Sequence, residues 1–216
     1  MRTFVKICGI TDPAILSEIP YGGGAGFLIG VPESPRSLTV EQVPPLIDRL
    51  PNGVEAWGVV VDPTAELIHR LYDEAGVDRI QVYGPVPSGL EFLEIHHLVP
   101  SLPVAPEGTP GSPPTVPPAE DYPRLHLDVA GTPWVSGSLL KPDWSVCASL
   151  VDAHPGRKFT LAGGLSPENV AEALARVRPW GIDLAAGVES APGRKEVARI
   201  RALLTAVDTY EKELLT

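Results

Sequence analysis

The chain has 216 residues, of which 44% are hydrophobic, enough to bury the single large core of one α/β domain spanning residues 1–216. Its formal net charge of −10, with 17 Lys and Arg residues that form no block, argues against a nucleic-acid partner. Two cysteines, Cys8 and Cys147, are too few for a disulfide framework or a zinc cluster, although the two could form one disulfide with each other.

No apolar run approaches the roughly 18 residues that a membrane span needs. The first residues lead directly into an apolar segment at 4–8, without the features of a secretory signal. We therefore expect a cytoplasmic protein with no membrane partner.

Short apolar segments alternate along the chain with longer segments of helical character. Continuous apolar runs such as residues 57–61 are typical of parallel strands that are covered on both faces. Eight such runs predict a (β/α)₈ TIM barrel, with an open doubly wound sheet as the competing fold. The predicted strands are residues 4–8, 25–31, 56–61, 78–83, 101–105, 125–129, 158–162 and 181–186. The predicted helices are residues 39–50, 64–75, 88–98, 167–178 and 193–212.

Two segments depart from a regular repeat of strand and helix. Residues 100–123 contain many prolines, which exclude a regular helix after the fifth strand, so we expect a loop in place of the fifth barrel helix. A linker between domains is the alternative for this segment. Near the other end of the chain, Ser166 precedes Pro167 and Glu168, a pattern that predicts the start of a helix.

Two strand ends carry groups that could act as an acid and a base. Side chains alternate along a barrel strand, so Lys6 and Cys8 share the face that points into the barrel. The same alternation places His126 with Asp128 at the end of a later strand. Barrel enzymes draw catalytic groups from such strand ends. An isolated cysteine is otherwise a small buried hydrophobe, and an isolated aspartate a helix cap.

Glycine-rich turns follow the last two predicted strands. Gly163 and Gly164 follow the seventh strand, and Gly187 and Val188 follow the eighth. Backbone amides at such turns can approach an anion closely, and phosphate-binding barrels commonly use these two positions. The sequence therefore predicts a phosphate site there.

Three segments together point to a known family: VKICGIT at 5–11, LAGGLSPEN at 161–169 and GIDLAAGVE at 181–189. On these segments the chain resembles, from residue 4 to about residue 200, the phosphoribosylanthranilate isomerase family of tryptophan biosynthesis. The family performs an Amadori rearrangement of a phosphoribosyl arylamine without a cofactor or metal. The resemblance implies that Cys8 is the base and Asp128 the acid.

The resemblance also implies how a small phosphorylated substrate is bound. Arg36, in the SPR turn at 34–36, would meet the ring carboxylate through paired hydrogen bonds. Gln81 and Asp183 would contact the substrate as well. Lys6 could lower the pKa of Cys8 or form an interior ion pair with Asp183, and the two roles are compatible. The alternatives for function are a paralogue that acts on another arylamine and a non-catalytic phosphate-binding barrel.

Four departures from the family pattern concern the binding residues. The glycine-rich loop before Asp143 and Trp144 is largely replaced within residues 130–142, and Tyr83 stands where a histidine is usual. Ala185 and Ala186 replace a frequent serine pair. His126 takes a position that is usually aliphatic, where a neutral, hydrogen-bonded ring is expected.

Overall fold

Eight parallel strands form a closed barrel in the computed structural model, which describes residues 2–91, 93–131 and 140–215. Each barrel strand pairs with the next along the chain, and the eighth returns to pair with the first, with Lys6 opposite Asp183. This closure confirms the barrel and excludes the open sheet. The barrel strands are β1 (Phe4–Cys8), β2 (Gly24–Ile29), β3 (Glu55–Val61), β4 (Arg79–Tyr83), β5 (Leu98–Val104), β6 (Arg124–Val129), β7 (Lys158–Leu161) and β8 (Gly181–Leu184).

Helices and 3₁₀ turns cover the outside of the barrel. They bury an apolar face against the strands, as Ile200, Leu203 and Val207 do in the last helix. None of the helices in the described part of the chain is long and apolar enough to cross a membrane. The α-helices are α1 (Pro44–Ile47), α2 (Ala65–Asp73), α3 (Trp144–Ala153), α4 (Val170–Val177) and α5 (Val197–Glu213). The 3₁₀ turns are Pro13–Glu18, Val40–Gln42, Ile95–His97 and Ala186–Val188.

The helix predicted at 88–98 is wrong. Its described residues form only the short 3₁₀ turn Ile95–His97, and Leu98 already belongs to β5. Gly89 turns the chain with a φ of +84°, a conformation that ends regular helical geometry. Leu98 pairs with Ile80 of β4, so this apolar residue belongs to the sheet and not to a helix.

The proline-rich segment between β5 and β6 is a loop, as predicted. No helix occurs in residues 105–123, all of which are described. Arg157 donates hydrogen bonds to the carbonyl oxygens of Pro117 and Tyr122, at 2.9 and 2.5 Å, and Tyr122 packs against the main core. The loop therefore lies on the barrel, and the strands on either side of it belong to one sheet.

The start of α4 differs from its prediction by three residues. The regular helix begins at Val170 instead of Pro167. Ser166 still opens the turn that leads into the helix, because its hydroxyl accepts a hydrogen bond from the Glu168 amide at 3.3 Å and its carbonyl accepts one from the Val170 amide. Asn169, just before the helix, accepts from the Ser166 amide at 2.9 Å.

A buried polar network fills the barrel where β1 and β8 meet. The Lys6 ammonium lies 2.7 Å from Asp183 Oδ2 and donates to Gln81 Oε1 at 3.0 Å. His126 Nε2 lies 3.0 Å from the same Asp183 oxygen, and its Nδ1 lies 3.1 Å from the Gln81 amide. The predicted ion pair between Lys6 and Asp183 is thus confirmed, and His126 contacts Asp183.

Replacing Lys6 by Met should destabilise the protein by about 3–5 kcal/mol, because it leaves a buried carboxylate without its cation. Urea unfolding measures the change. The matched control is Arg178→Met, which removes an exposed pair with Asp152 and should cost less than about 1 kcal/mol. Equal losses for the two variants would show that the interior pair does not hold the barrel together.

Candidate active site

A pocket opens at the carboxyl ends of the barrel strands. It encloses about 650 Å³ of space, a figure that includes its open mouth. Most of the predicted site residues meet there although they come from five different parts of the chain. The predicted residues that line the pocket are Cys8, Arg36, Asp128, Gly163, Gly164, Asp183 and Gly187.

Cys8 ends β1 and points into this pocket. Its thiol is accommodated by Gly26 of β2, where a Cβ atom would lie 2.9 Å from Sγ. Burial raises the pKa of the Cys8 thiol, and the positive charges of Lys6 and Lys195 oppose that rise. Lys6 thus lowers the pKa of Cys8, as the sequence analysis suggested, although the opposing effect of burial on that pKa is larger.

Asp128 ends β6 and faces the same pocket. Its Oδ2 accepts a hydrogen bond from the Tyr83 hydroxyl at 2.6 Å, and its Oδ1 accepts one from the Val129 amide at 2.7 Å. Burial raises the pKa of the Asp128 carboxyl, while the neighbouring His126 and these two hydrogen bonds oppose the rise. Burial therefore shifts the Asp128 carboxyl toward the protonated form that an acid needs.

Two glycine turns form the wall opposite Cys8. Gly163 and Gly164 adopt φ values of +86° and +60°, which favour glycine, and a Cβ at Gly163 would lie 2.9 Å from Asp128 Oδ1. A Cβ at Gly187 would lie only 1.8 Å from the Leu165 carbonyl oxygen, so the turns after β7 and β8 touch through their backbones. Val188 is buried in the core and does not line the pocket.

Arg36 reaches the pocket from the loop after β2. Its aliphatic chain crosses Gly9, where a Cβ would lie 2.5 Å from Arg36 Cδ. The guanidinium is held by a carboxylate that sequence reasoning did not single out: Nε and Nη2 donate to the two oxygens of Glu189 at 2.8 and 2.6 Å. Lys195 shares this carboxylate, with Nζ 2.5 Å from Oε1.

Gln81 lies below the pocket and does not line it. It is fully buried and bonds to Lys6 and His126. Asp183 reaches the pocket from the same network. Gln81 therefore supports the groups beneath the pocket, whereas Asp183 belongs to both the network and the pocket wall.

Sequence reasoning missed several residues that hold the site together. Asn169 donates a hydrogen bond to the Gly164 carbonyl at 2.8 Å. The spacing of Asn169 and Gly164 within LAGGLSPEN is the one local signal that could have indicated this contact. The contact of Tyr83 with Asp128 joins residues 45 positions apart in the sequence, and that of Arg36 with Glu189 joins residues 153 positions apart.

The altered loop at 130–142 falls largely on residues 132–139, which lie outside the described part of the chain.

The structure also shows the state of the two cysteines and a group of potential metal ligands. Cys8 and Cys147 are both free, so the possible bridge between them is not formed. In the described part of the chain, ligand atoms of Glu94, His96 and His97 lie within 4.8 Å of one another. This group is on the outside of the barrel, and none of its members lines the pocket.

A family model and curated relatives identify one family. The model of the N-(5′-phosphoribosyl)anthranilate (PRA) isomerase family matches residues 5–206. The chain is 31% identical over 205 residues to the N-(5′-phosphoribosyl)anthranilate isomerase of Trichlorobacter lovleyi, covering 93% of this chain and 95% of that protein. It is 33% identical over 213 residues to that of Thermosynechococcus vestitus, covering 94% and 89%.

Solved structures agree with this assignment. Phosphoribosyl anthranilate isomerase from Thermus thermophilus superposes with a TM-score of 0.76 at 33% identity, covering 97% of this chain and 99% of that one. A phosphoribosyl anthranilate isomerase in complex with reduced 1-(o-carboxyphenylamino)-1-deoxyribulose 5-phosphate has a TM-score of 0.73 at 25% identity, with 96% and 99% covered. The chain therefore belongs to the family of N-(5′-phosphoribosyl)anthranilate isomerases.

Proposed function

We propose that Cys8 and Asp128 carry out the family's reaction in this chain as base and acid. As a member of the family, the chain is an aldose–ketose isomerase of tryptophan biosynthesis. It converts N-(5-phosphoribosyl)anthranilate to 1-(2-carboxyphenylamino)-1-deoxyribulose 5-phosphate by an Amadori rearrangement. The observation that carries the proposal is that one pocket holds a thiol and a carboxyl whose burial favours protonation.

The first step is ring opening. Asp128 donates its proton to the ring oxygen of the furanose, the bond from that oxygen to C1′ breaks, and the nitrogen lone pair forms an iminium with C1′. The carboxylate that remains on Asp128 is stabilised by the Tyr83 hydroxyl and the Val129 amide, both of which donate to it. These donors oppose the effect of burial and keep Asp128 able to release its proton.

The second step is proton removal at carbon. The Cys8 thiolate takes the proton from C2′, the electrons of that bond move toward the iminium nitrogen, and the resulting enolamine tautomerises to the ketone. A thiolate is required, and the charges of Lys6 and Lys195 favour it against the effect of burial. Proton transfer of this kind by positioned groups is worth about 10²–10⁴-fold in rate.

The remaining lining residues orient the substrate between these two groups. The backbone of Gly163, Gly164 and Gly187 suits the phosphate, since no side chain blocks approach to the amides. Val188 follows Gly187 and could add only its backbone amide, because its side chain is buried in the core. The Arg36 guanidinium suits the carboxylate of the anthranilate ring. Asp183 lines the pocket as well, where it can accept a hydrogen bond from a ribose hydroxyl. Gln81 lies beneath the pocket and acts on the site through its hydrogen bond to Lys6.

We also propose that residues 1–216 work as one domain and act as a cytoplasmic enzyme on this phosphorylated small molecule. All eight barrel strands belong to one closed sheet, and the loop at 105–123 packs on the same core. The pocket residues include some from β1, β6 and β8, so the site needs strands from both ends of the chain's barrel.

Cys8→Ser and Asp128→Asn should each lower turnover by about 10²–10⁴-fold with little change in folding. The measurement is the change in aryl fluorescence after freshly generated phosphoribosylanthranilate is mixed with enzyme. Cys147→Ala is the matched control, because Cys147 does not line the pocket. Burial also raises the pKa of the Cys147 thiol to about 12. Near-normal turnover by either pocket variant would remove that residue from the mechanism. An inactive, folded wild type would favour a different amine substrate first and a phosphate-binding barrel without catalysis second.

Tyr83→Phe should move one limb of the pH profile. Because the Tyr83 hydrogen bond lowers the pKa of Asp128, its removal should raise that pKa further. The limb of the kcat/KM profile that reports Asp128 then shifts to higher pH, and turnover falls because the carboxylate left after proton donation loses a donor. Tyr72→Phe, on α2 away from the pocket, is the control, and an Asp128 limb that stays in place would contradict this role for Tyr83.

A further inference from the structure

The hairpin after β8 is built against the turn that carries Arg36. Residues Glu189–Ala191 pair in antiparallel fashion with Arg194–Lys195, and Gly193 in the connecting turn has a φ of +79°. A Cβ at Gly193 would lie 2.9 Å from the carbonyl oxygen of Pro35. The tip of the hairpin therefore meets the backbone next to Arg36 in a contact that glycine makes possible.

Glu189 holds one edge of the Arg36 guanidinium. Both of its oxygens accept, at 2.8 Å from Nε and 2.6 Å from Nη2, and both side chains are almost completely buried. A paired contact of this kind fixes the plane of the guanidinium as well as its position. Arg36 lines the pocket whereas Glu189 does not, so the carboxylate holds the guanidinium from behind.

Lys195 completes the cluster from the other side of Glu189. Its ammonium lies 2.5 Å from Glu189 Oε1 and donates to the Ala185 carbonyl at 3.1 Å, and it is buried. Two cations and one carboxylate leave one net positive charge. Without Lys195 the pair of Arg36 and Glu189 would be neutral, and a substrate carboxylate would meet a weaker field.

We propose that the hairpin determines the enzyme's preference for a carboxylated ring, with Glu189 and Lys195 as positioning residues that act through Arg36. Glu189 fixes the guanidinium in the orientation that receives a planar carboxylate. Lys195 holds Glu189 in place and keeps the cluster positive. This inference rests on the proposed contact between Arg36 and the ring carboxylate.

The test compares two ligands that differ only in the ring carboxylate. One is reduced 1-(2-carboxyphenylamino)-1-deoxyribulose 5-phosphate, and the other is the same compound made from aniline. Isothermal titration calorimetry gives the ratio of their dissociation constants for each protein. The wild type should prefer the carboxylated ligand by about 10–100-fold, the value of one strong charge-assisted contact.

Glu189→Gln should lower this preference by about 10-fold while the affinity for the aniline compound stays the same. The sign is diagnostic, because the substitution raises the net charge of the cluster to +2, and a purely electrostatic role for Glu189 would increase the preference. Lys195→Met should also lower the preference, since it leaves the cluster neutral. It serves as the deciding variant if thermal unfolding shows that Glu189→Gln is not folded.

Glu18→Gln is the matched control. It breaks a paired contact of the same geometry, in which Arg201 Nε and Nη2 both lie 2.8 Å from Glu18, on the outside of the barrel. Its ligand preference should equal that of the wild type. A wild-type preference that persists or grows in folded Glu189→Gln would overturn the role of the hairpin alone. A wild type without any preference would overturn the contact of Arg36 with the carboxylate, and the role of the hairpin with it.

Discussion

The ion pair between Lys6 and Asp183 is the interaction on which the rest of the structure depends. A buried ammonium requires a partner, and its partner lies on the last barrel strand, directly opposite it in the sheet. The pair therefore joins β1 to β8 at the seam where the barrel closes. Cys8 follows Lys6 by two residues, and Asp183 itself reaches the pocket, so the same pair forms the floor of the site.

Rigid strands and close backbone contacts position the reactive groups above this floor. The proposed base comes from the end of β1 and the proposed acid from the end of β6, three strand positions away around the barrel. The glycine turns after β7 and β8 touch each other through Gly187 and Leu165, and the hairpin beyond β8 touches the turn before Arg36. Cys8, Asp128, the glycine turns and Arg36 are thus fixed relative to one another by backbone geometry.

The features that sequence predicted are those that local pattern determines. Continuous apolar runs predicted the barrel strands, and the alternation of side chains along a strand placed Lys6 and Cys8 on one face. Both features depend only on neighbouring residues. The helix at 88–98 was predicted wrongly because Gly89 turns the chain and Leu98, the last apolar residue of the predicted helix, belongs to β5. The bond of Glu189 to Arg36 could not be predicted, since no local signal links residues 153 positions apart. The same holds for the hydrogen bond from Tyr83 to Asp128.

A crystal structure of this chain with reduced 1-(2-carboxyphenylamino)-1-deoxyribulose 5-phosphate tests the central claim most directly. The account predicts that C2 of the ligand lies about 3–3.5 Å from Cys8 Sγ and that the hydroxyl derived from the ring oxygen contacts Asp128. The phosphate should lie on the amides of Gly163, Gly164 and Gly187. A ligand bound with C2 facing away from Cys8, or with its phosphate at Arg36, would contradict the assignment of base and acid.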